Sequence, residues 1–174
     1  LFSFIRAAVN RAIATGMWIG NNPLSTKEGK WSMVKGNNKR LRFLTREEVK
    51  TLLNDLQLRH PQLHDMVLLS LKTGLRPTEI FRLRGQDIDA NACLLHIIAK
   101  GGKRMPVRVP ESIIKMLQAY KRSPSEPVFQ RANHKNFSRT PPCFRAAIKR
   151  LGLEPKDGDS LYTITLHTMR HTFA

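Results

Sequence analysis

The sequence is short of acid. Thirteen Asp+Glu stand against 30 Lys+Arg in 174 residues, a formal net charge of +17. No acid lies between Asp89 and Glu111, and none lies from Pro127 through Leu153. No acidic cluster is left to hold a metal ion, and no cofactor is expected. Cysteine is scarce as well. Cys93 and Cys143 alone make neither a disulfide framework nor a Cys-type zinc site. No stretch approaches the ~20 consecutive apolar residues of a membrane span, and no signal-peptide pattern occurs. A cytoplasmic protein is the expectation.

What is present is basic charge and enough apolar side chains to build a core, 41% of residues. An excess of this size calls for a polyanion, with nucleic acid the default partner and a membrane surface the competitor. The length suggests one domain with an appended piece. The first residue is not Met, and the last residues carry no helix stop signal. A fragment of a longer chain is therefore expected.

The organising stretch is Thr73-Gly74-Leu75-Arg76-Pro77-Thr78-Glu79-Ile80. An apolar helix runs into Gly74, which readily takes a left-handed helix end. Pro77 suits the first turn of the next helix. Arg76 is thus held between a stop and a start, beside a helix N-terminus that favours anions. Its planar fork can bond two phosphate oxygens at once. Capping a neighbouring helix or pairing with an acid is the competing role. Glu79, three residues on, can hold the guanidinium from behind.

In chain order, Leu1, Phe4, Ile5, Ala8, Val9, Ala12 and Ile13 make a helical stripe that ends near Gly16. Residues 25–43 read as a basic linker whose cations include Lys39 and Arg40. A solvated loop and a tether along a phosphate backbone are equally good readings of it. Thr45-Arg46-Glu47-Glu48 is a capping box, and His60-Pro61 breaks the helix that follows. The helix from Pro77 is expected to end at Gly85, with Asp87 and Asp89 in the turn beyond. Cys93–Ala99 and Met105–Val109 read as a hairpin around Gly101-Gly102. Its tip carries Lys100, Lys103 and Arg104, a solvated turn or a probe for a DNA groove. Pro110-Glu111 opens another helix, Val128-Phe129 is a candidate third strand, and Thr140-Pro141-Pro142 starts a helix ending at Gly152. Near the C-terminus, His167 and Arg170 stand three apart and share a helix face.

Three of these motifs in this order resemble the tyrosine recombinase, or phage integrase, family. They are Thr73–Ile80, Ala99-Lys100-Gly101-Gly102-Lys103-Arg104, and Leu166-His167-Thr168-Met169-Arg170-His171-Thr172-Phe173-Ala174. The resemblance implies an α+β fold, mostly α-helical: a helical catalytic domain of the DNA breaking-rejoining type with a small antiparallel β-sheet. That domain would span 44–174, after a linker at 25–43 and, at 1–24, the last helix of an otherwise missing core-binding domain.

The resemblance also implies roles. Arg76 and Arg170 would bind the non-bridging oxygens of the scissile phosphate, with His167 as the catalytic histidine. Lys100 would be the general acid for the leaving 5′ oxygen, Lys103 a weaker claimant, and Glu79 a supporting acid. Lys103, Arg104, Lys39 and Arg40 would grip double-stranded DNA. The family's nucleophile is a tyrosine after the His-x-x-Arg helix, whereas Tyr120 and Tyr162 both precede Arg170. This chain is therefore expected to be inactive in strand cleavage. The family works as a tetramer on DNA, while this fragment is expected to be a monomer. A type IB topoisomerase-like enzyme and a non-catalytic DNA-binding module are the alternatives.

Overall fold

The computed structural model describes residues 2–25, 42–99, 102–155 and 162–173. The chain divides into two compact units, Leu1–Asn38 and Lys39–Ala174. The linker positions Lys39 and Arg40 and the hairpin residue Lys100 lie outside the described residues.

The first unit contains helix α1, Phe2–Ala14. Gly16 follows with φ 72°, the left-handed conformation that closes a helix without a Cβ penalty. The chain then turns back on α1 through Asn22. Its side-chain amide donates to the Arg6 carbonyl at 3.0 Å and to Asn10 Oδ1 at 2.6 Å, while its oxygen accepts from Leu24 N.

The second unit holds six helices and one sheet among the described residues. Helix α2, Arg46–Arg59, starts at the expected capping box. Thr45 Oγ1 accepts from Glu48 N, and Glu48 Oε2 accepts from Thr45 N at 2.8 Å. Pro61 opens helix α3, Pro61–Thr73, whose Leu63, Met66, Val67, Leu69 and Ser70 are all buried. A helix apolar on most sides belongs in the core. Helices α2 and α7 (Leu166–Phe173) both pack against it.

Helix α4, Pro77–Arg82, is shorter than the sequence reading has it. Leu83 caps it and points into the core with 2% exposure. Gly85 begins a 3-10 turn, Gly85–Asp87, instead of ending α4. A Cβ on Gly85 would meet the Ser123 carbonyl oxygen at 2.5 Å, so close backbone approach is what this glycine serves. The two acids beyond it bind backbone. Asp87 accepts from Arg84 N and Asp89 from Ala92 N.

The sheet has three antiparallel strands in the order β1 (Ile88–Asp89), β2 (Leu94–Ile98), β3 (Arg104–Arg108). The β2–β3 hairpin matches the expectation, in a register that sets Leu95 opposite Val107 and Ile97 opposite Met105. The third strand is β1, not Val128-Phe129. Both of those side chains are fully buried, yet their segment forms only single bridges at Pro127 and Gln130. Side-chain amides pin it instead: Gln130 N donates to Gln62 Oε1 at 2.6 Å, and Gln62 Nε2 donates to the Gln130 carbonyl at 3.0 Å.

Helix α5 (Glu111–Gln118) buries Ile113, Ile114 and Leu117. Helix α6 (Pro142–Arg150) buries Phe144, Ala147 and Ile148. Asp55 on α2 accepts from Arg150 Nε at 3.0 Å and Arg59 Nε at 3.2 Å, which ties α6 to α2 at the surface.

Candidate active site

The site is built on the α3–α4 corner. Gly74 has φ 65° and ψ 16°, and its N–H donates to the Ser70 carbonyl at 2.9 Å. The corner is tied locally. Ser70 Oγ donates to the Leu75 carbonyl at 3.1 Å, and Thr73 Oγ1 donates to the Leu69 carbonyl at 2.6 Å while accepting from Leu75 N. Arg76 follows in extended conformation, φ −71° and ψ 148°, the conformation a following proline favours.

Glu79 grips Arg76 twice. Its Oε2 accepts from Arg76 N at 2.7 Å, and its Oε1 accepts from Arg76 Nη1 at 3.0 Å. The Glu79 side chain is 8% exposed and that of Arg76 48%. The carboxylate therefore anchors the guanidinium from the protein side, and the rest of the fork faces outward. Charge-assisted bonds to a buried acid are among the stronger polar contacts. The competing role foreseen for Arg76, pairing with an acid, is thus fulfilled and leaves donors over for an anion.

Helix α7 brings the second arginine to the same place. Its first turn is stapled by a threonine: Thr168 N donates to the Thr165 carbonyl at 2.8 Å, and Thr165 N donates to Thr168 Oγ1 at 2.9 Å. Leu166, Thr168 and Met169 are buried and seat the helix on α3. Arg170, half-buried, then donates through Nη1 to the Gly74 carbonyl, 96 residues earlier in the chain. Phe173, one turn on, presses its ring against Gly74. A Cβ there would meet Phe173 Cδ1 at 2.8 Å. Gly74 therefore serves two purposes, the left-handed turn and the close approach of α7.

Arg76 and Arg170 are thus fastened to one corner, two residues apart along it. His167 stands exposed on α7, one turn before Arg170. Its ring lies edge-on to His171 at 5.1 Å, and His171 lies edge-on to Phe43 at 6.5 Å. Thr172 joins the site with no motif in the sequence to announce it. It accepts from Leu44 N at 3.2 Å and donates to the Thr168 carbonyl at 3.0 Å, joining the segment before α2 to the end of α7.

At the hairpin tip, Ala99 N donates to the Lys103 carbonyl at 2.8 Å, and Gly102 N donates to the Ala99 carbonyl at 3.0 Å. Lys103 and Arg104 are exposed there. Tyr120 is occupied elsewhere. Its hydroxyl donates to Asp65 Oδ2 at 2.6 Å, and its ring meets Phe129 edge-on. Burial, reinforced by the bond to Asp65, pushes the phenol far above its ordinary pKa. Tyr162 is exposed.

Comparison with known proteins gives this geometry its context. The phage integrase family profile matches residues 42–174. Tyrosine recombinase XerD of Staphylococcus epidermidis is 29% identical over 118 residues, covering 63% of this chain and 38% of that protein. Tyrosine recombinase XerC of Chlamydia muridarum is 31% identical over 140 residues, covering 75% of this chain and 44% of that protein. The chain thus spans about two fifths of the length of these relatives.

Among solved structures, the Tn1549 transposon integrase in complex with circular intermediate DNA matches with a TM-score of 0.65 at 20% identity, over 99% of this chain and 62% of that one. The lambda integrase dimer bound to a COC′ core site matches at 0.66 and 18%, over 98% and 49%. The catalytic domain of bacteriophage HP1 integrase matches at 0.56 and 26%, over 76% and 69%. These share the fold. With the profile covering all of the second unit's described residues and XerC matching three quarters of the chain, the protein belongs to the phage integrase family.

Proposed function

We propose that this chain forms the phosphate-binding part of an enzyme that cuts and rejoins double-stranded DNA through a 3′-phosphotyrosine intermediate. The observation that carries the reading is the Gly74 corner, where Arg76, backed by buried Glu79, and Arg170, bonded to the Gly74 carbonyl, are fixed on one turn of backbone. In the reaction a tyrosine phenolic oxygen attacks phosphorus, the P–O5′ bond breaks, and the 5′ oxygen takes up a proton. Negative charge grows on the phosphate oxygens, and donors already in place stabilise it most. Arg76 and Arg170 take the non-bridging oxygens, and His167 supplies a further donor. Lys100 protonates the leaving 5′ oxygen, and Glu79 keeps Arg76 from swinging away.

DNA as partner is supported by the net charge of +17, by exposed Lys103 and Arg104, and by the DNA-bound state of the Tn1549 and lambda integrases. Lys39 and Arg40 add phosphate contacts. The nucleophile is neither Tyr120, whose phenol is held neutral by burial and by its bond to Asp65, nor Tyr162. The 174-residue chain is inactive in cleavage and monomeric, whereas the complete enzyme assembles as a tetramer on paired sites in the cytoplasm.

The test uses a polypeptide joining this chain to a tyrosine segment C-terminal to Arg170. Arg76→Ala and Arg170→Ala each lower strand cleavage by at least about 10²-fold, with less than a tenfold loss of DNA affinity. Cleavage unchanged, with weaker binding and a salt slope smaller by about one, would make the site a grip on DNA and overturn the proposal. A covalent adduct on the 174-residue chain with a suicide DNA substrate would overturn the assignment of the nucleophile.

A further inference from the structure

Three rings in a row reach from the start of the second unit to its candidate catalytic histidine. Phe43 meets His171 edge-on with centroids 6.5 Å apart and planes at 90°. His171 meets His167 edge-on at 5.1 Å and 77°. Both fall in the range where rings attract edge to face. The two histidines are one turn apart on α7, so the helix itself brings them together.

Phe43 is in turn placed by its neighbours. Leu44 is buried, and its N–H donates to Thr172 Oγ1. Arg42 pairs with Glu48, the acid that caps α2. The stack adds little to the core, since Phe43 is 56% exposed and His167 is exposed too. What it restricts is orientation. The outer torsion of a histidine is broad and nearly two-fold, and a ring lying against one side removes part of that range. A donor to a phosphate oxygen is useful only when its N–H already points there.

We infer that His171 is a positioning residue for His167, and that Phe43, by bracing His171, makes the segment leading into α2 part of the site. The inference rests on reading His167 as a donor to the phosphate, and its test separates the two. In the 174-residue chain carrying ring-labelled histidine, side-chain couplings and relaxation measured by NMR report the rotamer of His167. The wild type and His171→Phe, which keeps an edge-on ring, show one dominant rotamer. His171→Ala and Phe43→Ala show averaging between rotamers. Phe43→Ala removes a side chain more than half exposed, so it provides a folded second variant.

One fixed rotamer in both alanine variants would overturn the inference. Averaging in His171→Ala but not in Phe43→Ala would overturn the part assigned to Phe43. A titration of the wild type with inorganic phosphate reads the site separately. Movement of the Arg76 and Arg170 Nε–H signals supports the phosphate reading, and their immobility defeats it while leaving the rotamer result to stand or fall on its own.

Discussion

At the Gly74 corner both arginines are fastened from behind, whereas at the tip of the β2–β3 hairpin Lys103 and Arg104 stand in water. Arg76 leans on a buried carboxylate and Arg170 on a backbone carbonyl. Strand β3 is an edge strand of the sheet, with four of its five residues exposed and Pro106 in the middle, where an edge tolerates a missing N–H. Cations held at fixed positions can meet charge that appears only in a transition state. Cations on exposed stems can only follow a charge that is already there, as the phosphates of a duplex are. On the proposed function, one chain puts its cations to two uses, and the difference lies in what stands behind them.

The largest expected effect is at Glu79. Glu79→Ala strips Arg76 of both charge-assisted bonds and lowers stability by about 2 kcal/mol in urea unfolding. It should also slow cleavage in the tyrosine-bearing polypeptide. A rate left unchanged would show that Arg76 needs no backing, and the contrast between corner and hairpin would lose its basis. Gly74→Ala comes next, costing about 1 to 2 kcal/mol for a left-handed alanine. Its Cβ also displaces Phe173. Combining it with Phe173→Ala should recover the part due to contact and leave the part due to backbone, which a double-mutant cycle separates.

Asp55 is a control distant in sequence from both regions. Its bond to Arg150, assisted by Arg59, holds its carboxyl below the ordinary carboxylate value. The folded pKa lies under the unfolded one, so the stabilisation is complete above about pH 4. It fades as pH falls through the folded value. Asp55→Asn should lower the neutral-pH unfolding midpoint and flatten the acid limb, with no effect on DNA affinity. The smallest stability effect belongs to Lys103→Ala and Arg104→Ala, each within about 0.5 kcal/mol of wild type. Each should reduce the salt slope of DNA binding by about one. A hairpin variant that destabilised the fold as much as Glu79→Ala would erase the distinction.

The corner, the capping box at Thr45 and the hairpin were legible in the sequence because Gly, Pro and Thr act on their immediate neighbours. So was α7, whose His167 and Arg170 are three apart. What sequence could not show was pairing at a distance. Arg170 finds Gly74 across 96 residues, and Arg150 finds Asp55 across 95. Strand β1 exists only because β2 pairs with it, and two residues carry no periodicity to announce it. Val128-Phe129 shows the converse. Its apolar character is that of a strand, but burial and the Gln62 amide hold it in place of a ladder. Gly85 reads as a helix stop, and its true constraint is the Ser123 carbonyl, from the segment after α5.

The amide pair of Gln62 and Gln130 has a consequence in time. Gln130 lies in a stretch without a ladder, yet its N–H ends on the side chain of a helix residue. Its amide proton exchanges with water when the Gln62 side chain lets go, as it does when α3 and that stretch part company. A single peptide group in an irregular segment thereby becomes a clock for the opening of the core beneath it.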